Sequence, residues 1–367
     1  MCQKICIVTS CNLKYAPYVK LYTDVLDLAG IKYDLVTWNK YNLDESVTYS
    51  YNRKKDDASK FKTFFQYIGF GRFLDKILQR NRYDRLIICN PAPLIFVSNR
   101  TLNLYNKRFI WDIRDDTPIR KLFKNRFQKI RHMATCVVTS SRRYEEWIGG
   151  PTILSHNAQK DMIQKYYDFE PVEEIKPIIS IINAGKMIED QENIEILKIL
   201  GNAAEYQFVY YGNDVPGKVA LMEYCSEHGI ENIEFHGAYN KDEIIDIYRT
   251  KGSLINILRA NTAINRDALP NKLYEAAIAA VPFVVYEHNS VIVEYAKKYN
   301  LGIILCGRDE LTSIAERLRT FDYQKYNKGR KAFLDHILSE IDVFEKTVFT
   351  FVCGEANKPH EEDSVCS

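Results

Sequence analysis

The sequence contains no apolar run near the roughly 20 residues that would span a bilayer. Its nine cysteines include no CxxC pair and no Cys/His cluster at zinc spacing. That argues against a metal and for thiols used as small apolar side chains in a reducing compartment. The formal net charge is only +2, which excludes a globally basic nucleic-acid binder. No GxGxxG follows the first strand-like run, so a dinucleotide fingerprint is missing. The N-terminus enters that run without a signal-peptide layout. The expectation is a cytoplasmic chain with no metal or cofactor, touching a membrane at most peripherally.

What is present is unevenly placed. Residues 51–135 hold 20 Lys or Arg against seven Asp and no Glu, a local charge of +13 that leaves −11 for the rest. Such a block points to an anionic partner: a phosphorylated lipid, an acidic membrane surface or a polyanion. Residues 119–133 read as one helix with Leu122, Phe123, Phe127 and Ile130 on one face and Arg120, Lys121, Lys124, Arg126, Lys129 and Arg131 around them. This is the profile of an interfacial helix, and equally of a surface helix whose apolar stripe is core.

Short apolar runs alternate with helical patterns along most of the chain. Residues 4–10 suit a buried parallel strand, residues 18–29 a helix stopped by Gly30, and residues 33–37 a second strand. Residues 40–60 read as a loop. Residues 60–80 read as a basic amphipathic helix broken around Gly69-Phe70-Gly71. Strands at 84–89, 109–113 and 135–139 follow. Residues 159–177 are polar, contain two prolines and read as a linker. A second α/β series starts at Ile178. The predicted fold class is α/β, with two doubly wound, Rossmann-like domains facing across a cleft. The expected boundaries are 1–158, a linker at 159–177, a second domain at 178–310, helices at 311–353 packing back on the first domain, and a disordered tail at 354–367.

The most informative segment runs from Asp267 to Val285. An acid in a loop is followed eight positions later by Glu275, inside an Ala-rich helix that leads to Pro282 and an apolar strand. A helix start presents N–H groups and a positive dipole end to a diphosphate. Lys272 adds a cation. Glu275 can accept two hydrogen bonds from a ribose diol. The same residues would also serve an ordinary helix with solvated charges.

This segment resembles the donor-site motif of retaining glycosyltransferases with the GT-B fold, a family whose bacterial members build capsule, lipopolysaccharide and exopolysaccharide. The resemblance covers residues 1 to about 310 as order and pattern. It implies a hexosyltransferase, retaining, that moves a sugar from a nucleotide diphosphate sugar to a lipid-linked or glycan acceptor without a metal. Glu275 matches the ribose-binding glutamate. The family's first acid is usually Glu, where this chain has Asp267. The family's glycine before the Pro-strand segment is replaced by Ala280 and Val281. Gly185 and Lys186 match a phosphate-binding pair at the end of the first strand of the second domain, whereas the family's second lysine is replaced by Glu192.

The resemblance further implies donor contacts at Gly212, Asn213, Tyr239, Asn271, Lys272 and Leu273. It implies acceptor contacts at Asn12, Lys14 and Tyr15, where the family's Gly-rich loop is absent. Asp112 and Asp115 stand where the family has an acceptor-side acidic or His-containing loop, and with Lys186 they are the candidate catalytic residues. The two aspartates could instead pair with arginines or cap a helix. Nucleotide-sugar 2-epimerases share this fold, but no paired His and acid loop of the kind they need is evident. A non-catalytic partner subunit is the other alternative, favoured by Asp267 and Glu192.

Overall fold

A computed structural model describes residues 4–55, 60–171, 177–185, 187 and 190–354. The chain divides into two compact units, Met1–His156 with Glu340–Ser367, and Asn157–Ser339.

The first unit holds a seven-stranded sheet. In chain order its strands are β1 (Ile5–Thr9), β2 (Tyr33–Asn39), β3 (Tyr49–Asn52), β4 (Arg85–Cys89), β5 (Phe109–Ile113), β6 (Cys136–Thr139) and β7 (Ile153–Leu154). All pair in parallel, in the order β3-β2-β1-β4-β5-β6-β7. β1 and β5 are buried at every residue, as strands covered by helices on both faces must be. One face packs Trp38, Phe70, Trp111 and Phe127 into an aromatic core. The other packs Ile5, Ile7 and Tyr22 against Phe344, Val348, Phe351 and Val352, from the end of the last helix, Tyr323–Cys353.

The second unit repeats the plan with six parallel strands: β8 (Ile179–Ala184), β9 (Tyr206–Tyr211), β10 (Ile233–His236), β11 (Leu254–Asn256), β12 (Phe283–Tyr286) and β13 (Gly302–Leu305). Their order is β10-β9-β8-β11-β12-β13. Among the described residues no helix is long and apolar enough to cross a membrane, and no three His, Cys, Asp or Glu converge as metal ligands would.

Four local expectations need correction. The stretch at 40–60 contains strand β3, which extends the sheet beyond β2. Its Tyr49 and Tyr51 pack on the core, a signal that the surrounding polar residues hide. Residues Lys60–Asn81 form one unbroken helix. Gly69 and Gly71 are close-approach sites rather than breaks: a Cβ on Gly71 would run into Phe96, and one on Gly69 into the Tyr51 hydroxyl. The helix expected at 119–133 is split into Pro118–Leu122 and Lys124–Met133 at Phe123, which leaves helical geometry at φ −116°, ψ 41°. Phe127 and Ile130 are core, while Leu122 faces solvent. The expected linker contains the helix Lys160–Tyr166, which buries Ile163 and Tyr166. The tail from residue 355 onward lies outside the described residues.

Candidate functional site

The winding of the second sheet reverses between β8 and β11, whose C-terminal ends lie side by side. In open parallel sheets this reversal opens the crevice where ligands bind. Lys272 spans it. Its Nζ donates to Asn183 Oδ1 on β8 and, at 3.4 Å, to the carbonyl of Asn256 on β11. Asn193 Oδ1 accepts from Asn183 Nδ2 at 3.2 Å, from Asn256 Nδ2 at 3.2 Å and from Tyr210 Oη at 3.1 Å. This amide network holds the platform under the lysine.

Lys272 belongs to the helix Asn271–Ala279, whose Ala-rich far side is buried. Glu275 follows three residues on, so both side chains leave the helix on one face. Glu275 is half-buried, and its Oε2 accepts a hydrogen bond from Tyr248 Oη at 3.2 Å. Burial raises the Glu275 carboxyl above its ordinary range; Lys272, the Tyr248 bond and Lys241 oppose that rise without cancelling it. Tyr239 stands close by. Burial first, and the Glu275 charge second, push its hydroxyl up to about 12. That hydroxyl lies 4.0 Å from the point where a Cβ on Gly185 would sit.

The loops after β8, β9 and β10 meet backbone to backbone. Gly185 donates its N–H to Tyr211 O, and Gly212 donates to Gly237 O, each at 3.0 Å. Gly212 has φ +152°, and a Cβ there would strike the Gly185 carbonyl. The result is a surface of main chain that a phosphate chain can approach closely. Replacing Gly212 with Ala is expected to push these loops apart and weaken nucleotide diphosphate binding at least about tenfold. Titration calorimetry would check it, and unchanged affinity would remove the main-chain surface from the site.

Two cations that sequence reasoning missed complete the frame. Lys218 is buried and donates to Gly212 O at 3.0 Å, His236 O at 2.8 Å and Asp214 Oδ1 at 2.8 Å. It clamps the loops after β9 and β10. A signal existed: Lys218 lies in the first turn after Pro216, where the helix dipole disfavours a cation that lacks partners. Arg308 follows β13 and donates to Glu192 Oε1 at 2.8 Å. The acid that replaces the family's second lysine is therefore a buried carboxylate tied to an arginine.

The other expected donor residues are placed as follows. Asn213 and Asn271 are exposed, and Asp267 is half-buried at the end of the helix Ala263–Asp267, its side chain without a hydrogen bond to the described residues. Leu273 is core, and its N–H donates to Pro270 O at 3.1 Å, so that amide is used within the turn. Lys186 lies outside the described residues.

In the first unit, Asn12 is fully buried. Its Nδ2 donates to Asn39 Oδ1 at 2.8 Å and Glu45 Oε2 at 2.9 Å, and its Oδ1 accepts from the Tyr41 N–H at 3.2 Å. Lys14 is exposed, and exposed Tyr15 meets Tyr41 edge-on at 4.8 Å. Asp112 is fully buried on β5. Its Oδ2 accepts from Tyr22 Oη at 2.8 Å and from Arg114 Nε and Nη2 at 2.9 and 2.8 Å. Burial raises its carboxyl against the pull of Arg114. Arg114 also donates to Ser155 O and Oγ, joining β5 to the chain beyond β7. Asp115, three residues on, is exposed. His156 Nε2 bonds Glu340 Oε2 at 2.7 Å, which ties the chain beyond β7 to the last helix.

No family model and no curated protein sequence matches the chain. Solved structures do. Sucrose-phosphate synthase from Thermosynechococcus elongatus is 13% identical at a TM-score of 0.68, over 95% of this chain and 99% of that one. The Anabaena protein HepE, in complex with UDP and glucose, is 11% identical at a TM-score of 0.58, over 94% and 99%. A putative UDP-N-acetylglucosamine 2-epimerase from Listeria monocytogenes is 10% identical at a TM-score of 0.57, over 98% of each chain. Other similar structures are named as glycosyltransferases, WaaG and AviGT4 among them, and another as a UDP-GlcNAc 2-epimerase. With two parallel α/β sheets of seven and six strands, the chain has the GT-B fold of these glycosyltransferases.

Proposed function

We propose that the protein is a glycosyltransferase that takes a sugar from a nucleoside diphosphate sugar and passes it to a hydroxyl of a glycan acceptor, lipid-linked, in the synthesis of a surface polysaccharide. The observation that carries this reading is Lys272 lying across the β8/β11 reversal, with Glu275 on the same helix face and the Gly185–Gly212 main chain beside it. A diphosphate against Lys272 and the glycine loops puts the attached ribose within reach of Glu275. The carboxylate would accept two hydroxyl hydrogens there. Lys186, next in the chain to Gly185, is the second candidate cation.

The chemistry follows from the charges. The bond between the sugar's C1 and the diphosphate oxygen breaks, and negative charge builds on the leaving group. Lys272 and the helix start stabilise it as it forms. The acceptor oxygen bonds to C1 on the same face, and its proton passes to the leaving diphosphate. Retention of configuration needs no separate base in this scheme. In this reading Asp115, which is exposed, would hold an acceptor hydroxyl, and Tyr15 with Tyr41 would offer a face to a sugar ring. Asp112, sealed in its ion pair, acts through the scaffold.

A thermal-shift panel of nucleoside diphosphates tests the proposal. One of them should raise the melting temperature of the parent, because a ligand at a hundred times its Kd adds about 2.7 kcal/mol. Lys272→Ala should lose most of that shift. A flat response to the whole panel would favour a non-catalytic partner subunit. The epimerase alternative shares the fold. It would give an isomerised nucleotide sugar with no nucleoside diphosphate released.

A further inference from the structure

The first unit carries a second surface that the donor chemistry does not use. The helix Lys60–Asn81 presents Phe61 and Phe65 to solvent at 72% and 53% exposure, their rings in contact edge-to-face at 4.8 Å. Two large aromatic rings in water, one turn apart, are costly unless something covers them. Phe64, between them in sequence, turns inward and stacks on Phe123 at 6.2 Å. Leu122, next in the chain to Phe123, is 68% exposed. Further along the helix, Arg72 and Lys76 are exposed and fall on the face of Phe61 and Phe65, since positions 61, 65, 72 and 76 recur at the 3.6-residue period. Exposed Lys124 begins the helix that follows Phe123. Arg72, Lys76 and Lys124 make no ion pair among the described residues. All six side chains lie in the segment whose charge is +13.

We infer that Phe61, Phe65 and Leu122, flanked by Arg72, Lys76 and Lys124, form a docking face for an anionic lipid bilayer. The charge decides between occupants. A second copy of the chain would bring the same unpaired cations to the contact, and like charges would repel. A bilayer of acidic lipids supplies both a negative surface for the cations and an apolar layer for the rings. Neither force suffices alone for firm attachment, and the helix carries both. The inference is independent of the donor site, because every residue in it belongs to the first unit.

The test is sedimentation of the full-length protein with phosphatidylcholine vesicles, with and without phosphatidylglycerol, at low and high salt. Binding is expected only with phosphatidylglycerol, and weaker at high salt. Phe61→Ser with Phe65→Ser should reduce that binding about tenfold or more. Arg72→Glu with Lys76→Glu should do so by a similar factor at low salt. Both pairs should keep the parent's melting temperature and its response to nucleoside diphosphates, since these side chains face solvent. No sedimentation with phosphatidylglycerol, equal sedimentation with neutral vesicles, or undiminished binding by the two double variants would overturn the inference. So would a parent dimer in size exclusion that the Phe61→Ser/Phe65→Ser protein lacks, which would show a second copy covering the face.

Discussion

Glu275→Gln is expected to make the protein more stable at neutral pH and a much weaker binder of its donor. Both effects come from one carboxylate. Burial raises its pKa in the folded chain, so the folded state favours the protonated form and the unfolded state the charged one. A raised carboxylate contributes stability below its unfolded pKa and loses it as pH climbs through the folded value. At neutral pH the charge therefore opposes folding, and the neutral amide removes that opposition. The parent's melting temperature should rise on mild acidification, relative to the variant, as the pH approaches the raised value.

Binding runs the other way. The amide oxygen still accepts, but a hydrogen bond to a charged acceptor contributes about 1.5–3 kcal/mol against about 0.5–1.5 to a neutral one, so weakening two of them should cost a nucleoside diphosphate roughly thirtyfold in affinity. The parent's own affinity should fall as pH drops through the raised pKa, while the variant's stays flat. Melting curves and calorimetry across pH would check both halves. A variant that binds like the parent would remove Glu275 from the site.

The second large effect belongs to Asp112. Its replacement by Ala leaves the Arg114 guanidinium buried without its carboxylate. Removing one partner of a buried ion pair typically costs about 3–5 kcal/mol. In a domain of this size each kcal/mol is worth about 2–4 °C, so a loss of about 6–20 °C is expected. The Tyr22 hydroxyl also loses its acceptor. Asp115→Asn should leave the melting temperature within about 2 °C, because Asp115 is exposed and surface changes usually stay within about 0.5 kcal/mol. If Asp115 holds the acceptor, its variant should lose transfer while keeping donor binding. Differential scanning calorimetry with a transfer assay separates the two aspartates. An Asp112→Ala protein as stable as the parent would show that the ion pair does not hold the first unit together.

Much of this architecture is legible from residues alone. Runs such as Ile5–Thr9 and Phe109–Ile113 are apolar throughout because helices cover both faces of their sheet, and that pattern survives in sequence. Lys272 and Glu275 share a helix face by spacing alone. What escaped was contact made at a distance. The break read at Gly69-Phe70-Gly71 is a packing site, since Phe96 lies 25 residues beyond Gly71. Strand β3 is short and polar, and only its pairing with β2 defines it. Lys218 looks like a surface lysine until the carbonyls of Gly212 and His236 come into view. Tyr248 becomes a partner of Glu275 only once the helices Ile244–Lys251 and Asn271–Ala279 lie together.

The last helix carries a consequence for how the chain is made. Phe344, Val348, Phe351 and Val352 complete one face of the first sheet, yet they are made long after its last strand, β7. The first unit must therefore wait, with Ile5, Ile7 and Tyr22 uncovered, until the whole Asn157–Ser339 unit has been made. The continuous Asn157–Ser339 unit has no such delay. A chain broken off before Phe344 would spoil its first unit and spare its second.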